Sequence, residues 1–319
     1  MRRTVAERAL LATHVGSLAL GSAVMTASGT SGHGAELAAY GPLEQLGAVV
    51  VKSLSVHPWP GNDGMRLHGA PGGSMLNRVG LQGPGVAAWR KKDLPELLAH
   101  RATVVASVWG RTAGEFSAAA EALVEKGSGL DGGAVSPGIA AVEVNVSCPN
   151  LAGHMFAHSP QATADAVGAV CGAVRRQGVA VWAKLSPVVP DICAIAAAAL
   201  EAGASALTLV NTMPAMWVDV SGDRAAFAGG LSGRALHPVA VRAVHDCRRE
   251  FPDAAIVGVG GVATGEDAAE LLLSGANAVQ VGTATFADPR APWRVQEELA
   301  RWCARRRTTV EEVSGAAVR

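Results

Sequence analysis

Short apolar runs rich in Val, Ala and Leu recur along the chain, each followed by a Gly, Asn or Ser-rich break and then an Ala-rich stretch. The runs at 24–28, 48–53, 103–108, 141–146, 179–185, 206–211, 255–259 and 278–281 predict eight strands. The stretches at 34–46, 112–126, 160–177, 190–202, 235–248 and 265–274 predict helices between them. A strand that is apolar along its whole length is buried on both faces, which a parallel sheet covered by helices provides. Eight such units in about 250 residues is the size of a (β/α)₈ barrel. The predicted fold is therefore α/β, a single TIM barrel. A doubly wound open sheet is the alternative, because periodicity does not show closure.

Three segments depart from the alternation. Residues 55–89, after the second strand, form a long insertion rich in Pro and Gly with no obvious helix. Such an insertion is usually functional or built from its own small strands. Residues 304–319 open on Arg305-Arg306-Arg307 and read as a polar tail that frays, leaving 1–303 as one catalytic domain. Near the N-terminus Arg2 and Arg3 precede an apolar stretch, but Glu7, Arg8, His14, Gly16 and Gly21 fall where a secretory signal would be uninterrupted. A short opening β-hairpin is expected there.

Composition narrows the function classes. The 319 residues are 49% hydrophobic and 17% charged, with 27 basic and 27 acidic side chains. A neutral chain has no charge footprint for nucleic acid or an anionic membrane surface. No stretch approaches the roughly 20 apolar residues of a membrane span. Cys148, Cys171, Cys193, Cys247 and Cys303 are scattered and odd in number, so neither a disulfide framework nor a metal site is expected. The cytoplasm is the expected compartment.

Barrel enzymes carry their chemistry in the loops after the strands, so what each strand ends on is informative. The first predicted strand ends in Ala27-Ser28-Gly29 and the second in Lys52-Ser53; the fourth runs into Asn145 and Cys148. The fifth carries Lys184, the sixth ends on Asn211-Thr212, the seventh on Gly260-Gly261 and the eighth on Gly282-Thr283. Glycines after the last two strands let backbone N–H groups approach an anion, and barrels often bind phosphate there. The run 229–233, ending in Gly233, is either a further phosphate loop or an ordinary flexible one. Lys52 and Lys184 would add positive charge to the same mouth.

Cys171, Cys193 and Cys247 lie on Ala-rich helices and read as small core hydrophobes. Cys148 instead follows a strand, precedes Pro149 and sits between Asn145 and Asn150. That placement suits an active site, where a thiol of pKa near 8.5 can act as base or nucleophile. A non-flavin lyase or isomerase using Lys184 is the alternative chemistry for such a barrel.

Residues 145–150, Asn-Val-Ser-Cys-Pro-Asn, combine with Met75-Leu76-Asn77-Arg78-Val79-Gly80-Leu81, Ala183-Lys184-Leu185-Ser186-Pro187 and Gly258-Val259-Gly260-Gly261. In this set and order the chain resembles the dihydroorotate dehydrogenases, in particular the soluble class 1 type with a cysteine base. The resemblance runs from about Gly16 to Pro289. It implies bound FMN and oxidation of (S)-dihydroorotate to orotate in de novo pyrimidine (UMP) biosynthesis, with Cys148 taking the C5 proton while the C6 hydride passes to flavin N5. Lys52 would lie between flavin and substrate and act with Cys148. Asn77, Val79, Gly80, Leu81, Asn145, Asn150, Asn211 and Thr212 would contact the substrate. Ala27, Ser28, Gly29, Lys52, Ser53, Asn145, Lys184, Gly233, Gly260, Gly261, Gly282 and Thr283 would hold FMN, with Lys184 at the flavin N1/O2 edge.

The pattern Gly80-Leu81-Gln82 resembles the type that works with an iron–sulfur/FAD subunit and passes electrons to NAD⁺; fumarate-using homodimers are the alternative, and a homodimer is expected in either case. The chain departs from the family at Trp59, where an Arg is usual, at Gly83 and Ser107, where Asn is usual, and at His154 and Ala157 in the loop after Cys148. A related dihydropyrimidine as substrate is the alternative those departures raise.

Overall fold

The computed structural model describes residues 9–125, 138–147, 155–221 and 226–318; Cys148, Asn150 and His154 lie outside them. An antiparallel hairpin, β1 (Thr13–Val15) and β2 (Leu18–Leu20), leads into eight parallel strands. These are β3 (Val24–Thr26), β4 (Val49–Val50), β7 (Val104–Val108), β8 (Ala141–Asn145), β9 (Ala180–Leu185), β10 (Ala206–Leu209), β13 (Ile256–Val259) and β14 (Ala278–Val281). All eight coincide with the apolar runs of the sequence. They pair in the order β3-β14-β13-β10-β9-β8-β7-β4. The Gly47 N–H donates to Val24 O at 2.8 Å and Thr26 N–H to Ala48 O at 3.2 Å, which joins the two end strands. The sheet is thus a barrel, and the open-sheet alternative is excluded.

The covering helices are α1 (Val86–Ala99), α2 (Ala113–Val124), α3 (Pro160–Val174), α4 (Ile192–Glu201), α5 (His237–Glu250) and α6 (Gly265–Leu273). Side-chain caps fix several starts: Thr112 accepts from Glu115 N–H, Ser159 from Ala162 N–H, and Thr264 forms a capping box with Asp267. Each such cap is worth about 1 kcal/mol. Trp89, Trp182 and Phe116 are the largest fully buried side chains of the core between helices and barrel.

Four expectations are corrected. Residues 34–46 hold two 3₁₀ turns, Glu36–Ala39 and Leu43–Gln45, rather than a helix, because Pro42 between them lacks the N–H a continuous ladder needs. The insertion after the second barrel strand is not helix-free to residue 89, since α1 starts at Val86. Its charged run Arg90-Lys91-Lys92-Asp93 and its internal Pro95 blur the apolar period that would have announced it. The run 229–233 is strand, not loop. It belongs to β12 (Ala226–Gly233), which pairs with β11 (Met213–Val218) and with β6 (Ser74–Asn77), and β6 pairs in turn with β5 (Leu67–Ala70). Side chains at Gly229 and Gly230 would overlap the Asn77 backbone and the Thr212 hydroxyl, so glycine there serves close packing.

The C-terminal tail does not fray. The long helix Ala291–Arg306 runs through Ala304 without a break, and a short helix, Val310–Val313, buries Val310 and Val313, one turn apart. Gly315 N–H and Ala317 N–H then donate to Leu272 O and Leu273 O of α6, both at 2.9 Å.

Candidate active site

The C-terminal ends of the barrel strands and the four-stranded antiparallel sheet β11-β12-β6-β5 enclose a cavity of about 770 Å³. That is an ordinary size for a cofactor and a small substrate. Every site residue expected from the sequence that lies among the described residues lines it: Ala27, Ser28, Gly29, Lys52, Ser53, Asn77, Val79, Gly80, Leu81, Asn145, Lys184, Asn211, Thr212, Gly233, Gly260, Gly261, Gly282 and Thr283. Cys148 and Asn150 lie outside the described residues, but Ser147, next to Cys148, also lines the cavity.

The polar groups on the barrel side are linked. Ser53 Oγ lies 3.3 Å from Ser28 Oγ and 2.9 Å from Ser107 Oγ, and it accepts from Asn145 Nδ2 at 3.3 Å. Asn145 Oδ1 accepts from Asn211 Nδ2 at 3.0 Å and from the Ser147 N–H at 3.2 Å. This chain crosses the ends of five barrel strands and fixes which way the two amides face. Asn77 comes from the opposite wall, where its Nδ2 donates to Gly230 O at 3.1 Å.

Charge in the cavity is one-sided. Lys52, Arg78, Arg111 and Lys184 line it, and no carboxylate does among the described residues. Burial, and then the nearby Arg66, hold the Lys52 ammonium below the usual lysine range. Lys184 is 5% exposed on β9, and its Nζ lies 3.5 Å from Glu143 Oε1 on β8. The site therefore favours anionic ligands.

One end of the cavity is suited to phosphate. A side chain at Gly261, where φ is 68°, would strike His237 Cβ and Gly233 O. The end of β13 thus presents bare backbone against the turn that starts α5. Gly282 lies alongside, and Thr283 Oγ1 donates to Ser232 Oγ at 2.8 Å. Glycine backbone and two hydroxyls make a donor set that fits a phosphate-bearing cofactor.

Sequence reasoning missed Glu143, Gln280 and the aromatic rim. Glu143 and Gln280 are fully buried inside the barrel, and Gln280 Nε2 donates to Glu143 Oε2 at 2.8 Å. Their signal was present: each is a polar residue flanked on both sides by valine within a barrel strand. At the rim Trp59 and Gly83 form a two-hydrogen-bond bridge, with N···O distances of 2.9 and 3.0 Å. Trp59 meets Trp109 edge-on at 5.5 Å, and the Arg111 guanidinium lies 5.3 Å from the Trp59 ring. Trp59 and Gly83 are thus parts of one local structure.

The four other cysteines are free thiols away from the cavity, and burial raises their pKa values, that of Cys303 to about 11. They are poor nucleophiles at neutral pH. Among the described residues no helix is long and apolar enough to cross a membrane.

Fold and cavity together define a (β/α)₈-barrel enzyme with its site at the strand C-termini. The family model described as dihydroorotate dehydrogenase matches residues 10–302, and the chain belongs to that family of oxidoreductases. It is 41% identical over 301 residues to "Dihydroorotate dehydrogenase B (NAD(+)), catalytic subunit" of Trichlorobacter lovleyi, covering 93% of this chain and 94% of the relative. Proteins of the same description from Geobacter sulfurreducens and Solidesulfovibrio magneticus are 40% and 42% identical, over 92% and 86% of this chain and 93% and 87% of theirs.

Proposed function

We propose that this chain oxidises (S)-dihydroorotate to orotate in the cytoplasm, in de novo pyrimidine biosynthesis. In this reading it is the FMN-binding catalytic subunit of an assembly, itself a homodimer, in which an iron–sulfur/FAD subunit passes electrons to NAD⁺. The observation that carries this reading is the single cavity that combines an amide-lined cationic wall with a glycine-lined phosphate end.

Bound at the barrel mouth, FMN supplies a two-electron acceptor for hydride. Gly233, Gly260, Gly261, Gly282 and Thr283 would hold its phosphate, and Ala27, Ser28, Gly29, Ser53 and Lys184 would line its remaining length. Asn77, Asn145, Asn150 and Asn211 match the alternating N–H and C=O edge of a cyclic ureide, since an amide donates and accepts at once. Val79, Gly80, Leu81 and Thr212 close the substrate pocket, and Lys52 offers its ammonium to the substrate carboxylate. Cys148, as thiolate, takes the proton from C5. C6 gives up its hydride, and a C5–C6 double bond remains.

Anaerobic titration of the purified yellow protein with dihydroorotate tests the reading. The flavin absorbance is expected to bleach, faster as pH rises through the thiol range near pH 8 to 9. Protein that binds flavin and stays oxidised overturns the substrate; colourless protein overturns the cofactor.

A further inference from the structure

We infer that Glu143 is a positioning residue: it fixes the Lys184 ammonium at the cavity floor and offsets part of the charge that floor presents to the bound flavin. The inference rests on the flavin reading above and extends it to residues that never touch the ligand.

Glu143 and Lys184 sit on neighbouring strands, with side chains 0% and 6% exposed and 3.5 Å between Oε1 and Nζ. A carboxylate buried this completely is retained only against a partner, because desolvation alone costs several kcal/mol. Glu143 has two partners, one to each oxygen. Gln280, from the far side of the barrel, donates to Oε2 at 2.8 Å and so directs Oε1 towards the ammonium. Gln280 and Glu143 are inside the barrel, whereas Lys184 lines the cavity. The three run from the interior to the floor, through a hydrogen bond from Gln280 to Glu143 and then an ion pair from Glu143 to Lys184.

The consequence is electrostatic. A flavin that takes up a hydride gains negative charge, and an unshielded ammonium beneath it favours the reduced form. A carboxylate 3.5 Å from that ammonium, itself fully buried, cancels part of the effect. Glu143 therefore holds the flavin potential lower than Lys184 alone would set it, which helps electrons leave for the next carrier.

Midpoint potentials of the flavin-loaded protein test this. Glu143→Gln keeps the shape and removes the charge; it is expected to tighten reduced over oxidised flavin about tenfold, a rise of about 30 mV for a two-electron couple. Lys184→Gln is expected to lower the potential, and the double variant to fall between the two. Glu143→Asp, which keeps the charge but withdraws it by one methylene, is expected to give a smaller rise and reads the same sign if Glu143→Gln does not fold. Unchanged or lowered potentials in both Glu143 variants overturn the inference. A colourless wild type would overturn the flavin reading instead, so the two failures are told apart.

Discussion

On the barrel wall of the cavity Ser53, Asn145 and Asn211 are tied to one another across strands that are buried on both faces. On the cap wall Asn77 reaches a single carbonyl, that of Gly230, within an antiparallel sheet whose outer strand β11 exposes Met216 and Val218. The barrel groups can change direction only if neighbouring strands shift. The cap groups rest on the pairing of two insertions, far apart in sequence, that meet at β6 and β12. A rigid wall suits the group that moves a proton, whereas a lightly held wall suits groups that must admit and release a ligand. Substitutions among the linked hydroxyls and amides of the barrel wall should therefore act on chemistry, and those on the cap wall on binding. Lys52, whose charge faces the substrate carboxylate in the proposed reading, is the barrel-side group expected to act on binding.

The largest expected effect lies on the barrel side. Cys148→Ser, three residues after β8 in the sequence, should keep its yellow colour and lose about 10²- to 10⁴-fold in the rate of flavin reduction by dihydroorotate. Stopped-flow absorbance reads this directly, and a loss under tenfold would take proton removal away from Cys148.

Lys52 comes next. Lys52→Met should raise KM for dihydroorotate about 10- to 100-fold, as expected for a lost charge-assisted contact. Burial lowers the Lys52 pKa, so wild-type KM should begin to climb with pH below the range near 10.4 where an ordinary lysine titrates. Stability has the opposite slope. The unfolded chain binds the Lys52 proton more tightly than the folded one, so stability rises as pH passes up through the lowered pKa and levels off above the ordinary one. Lys52→Met should lose that slope in denaturant titrations run at several pH values; an unchanged slope would place its origin elsewhere.

What was legible in the sequence follows the same division. The eight barrel strands announce themselves because each is a mainly apolar run bounded by glycine or a polar group, a local signal. The cavity residues at the barrel mouth, such as Lys52, Asn145 and Asn211, are legible for the same reason, as the ends of those runs, whereas Asn77, Val79, Gly80 and Leu81 come only from the family resemblance. The cap sheet was not. Residues 67–77 and 213–233 are rich in Gly and alternate weakly, and what makes them a sheet is their pairing with each other. Glu143 and Gln280 carry no strand-end signal, because each lies within its strand. The tail was misjudged because its charge hides Val310 and Val313, whose burial depends on α6.

On the cap side, Gly230→Ala places a methyl group against the Thr212 hydroxyl, which lines the cavity. KM for dihydroorotate should rise several-fold, in keeping with one displaced contact of about 1 kcal/mol. Flavin affinity should stay as in wild type. A loss of flavin instead would mean that the cap supports the cofactor and that the two walls do not divide their tasks.

The smallest effect is expected at the rim, where Gly83 pairs with Trp59. Its φ lies outside the left-handed region, so alanine is compatible with the backbone and removes freedom from the unfolded chain, worth about 0.4–1 kcal/mol. The added Cβ would lie 3.3 Å from His33 Nε2 and 3.6 Å from Ser53 O. Burial and the neighbouring Lys52 keep the His33 ring neutral at pH 7, so the methyl group desolvates no charge there. The ring must yield by a few tenths of an ångström. If the rim is as loosely held as the cap sheet, Gly83→Ala raises the melting temperature by about 1–2 °C with KM unchanged. A fall in melting temperature would show that His33 cannot move, and the rim would then belong with the rigid barrel wall.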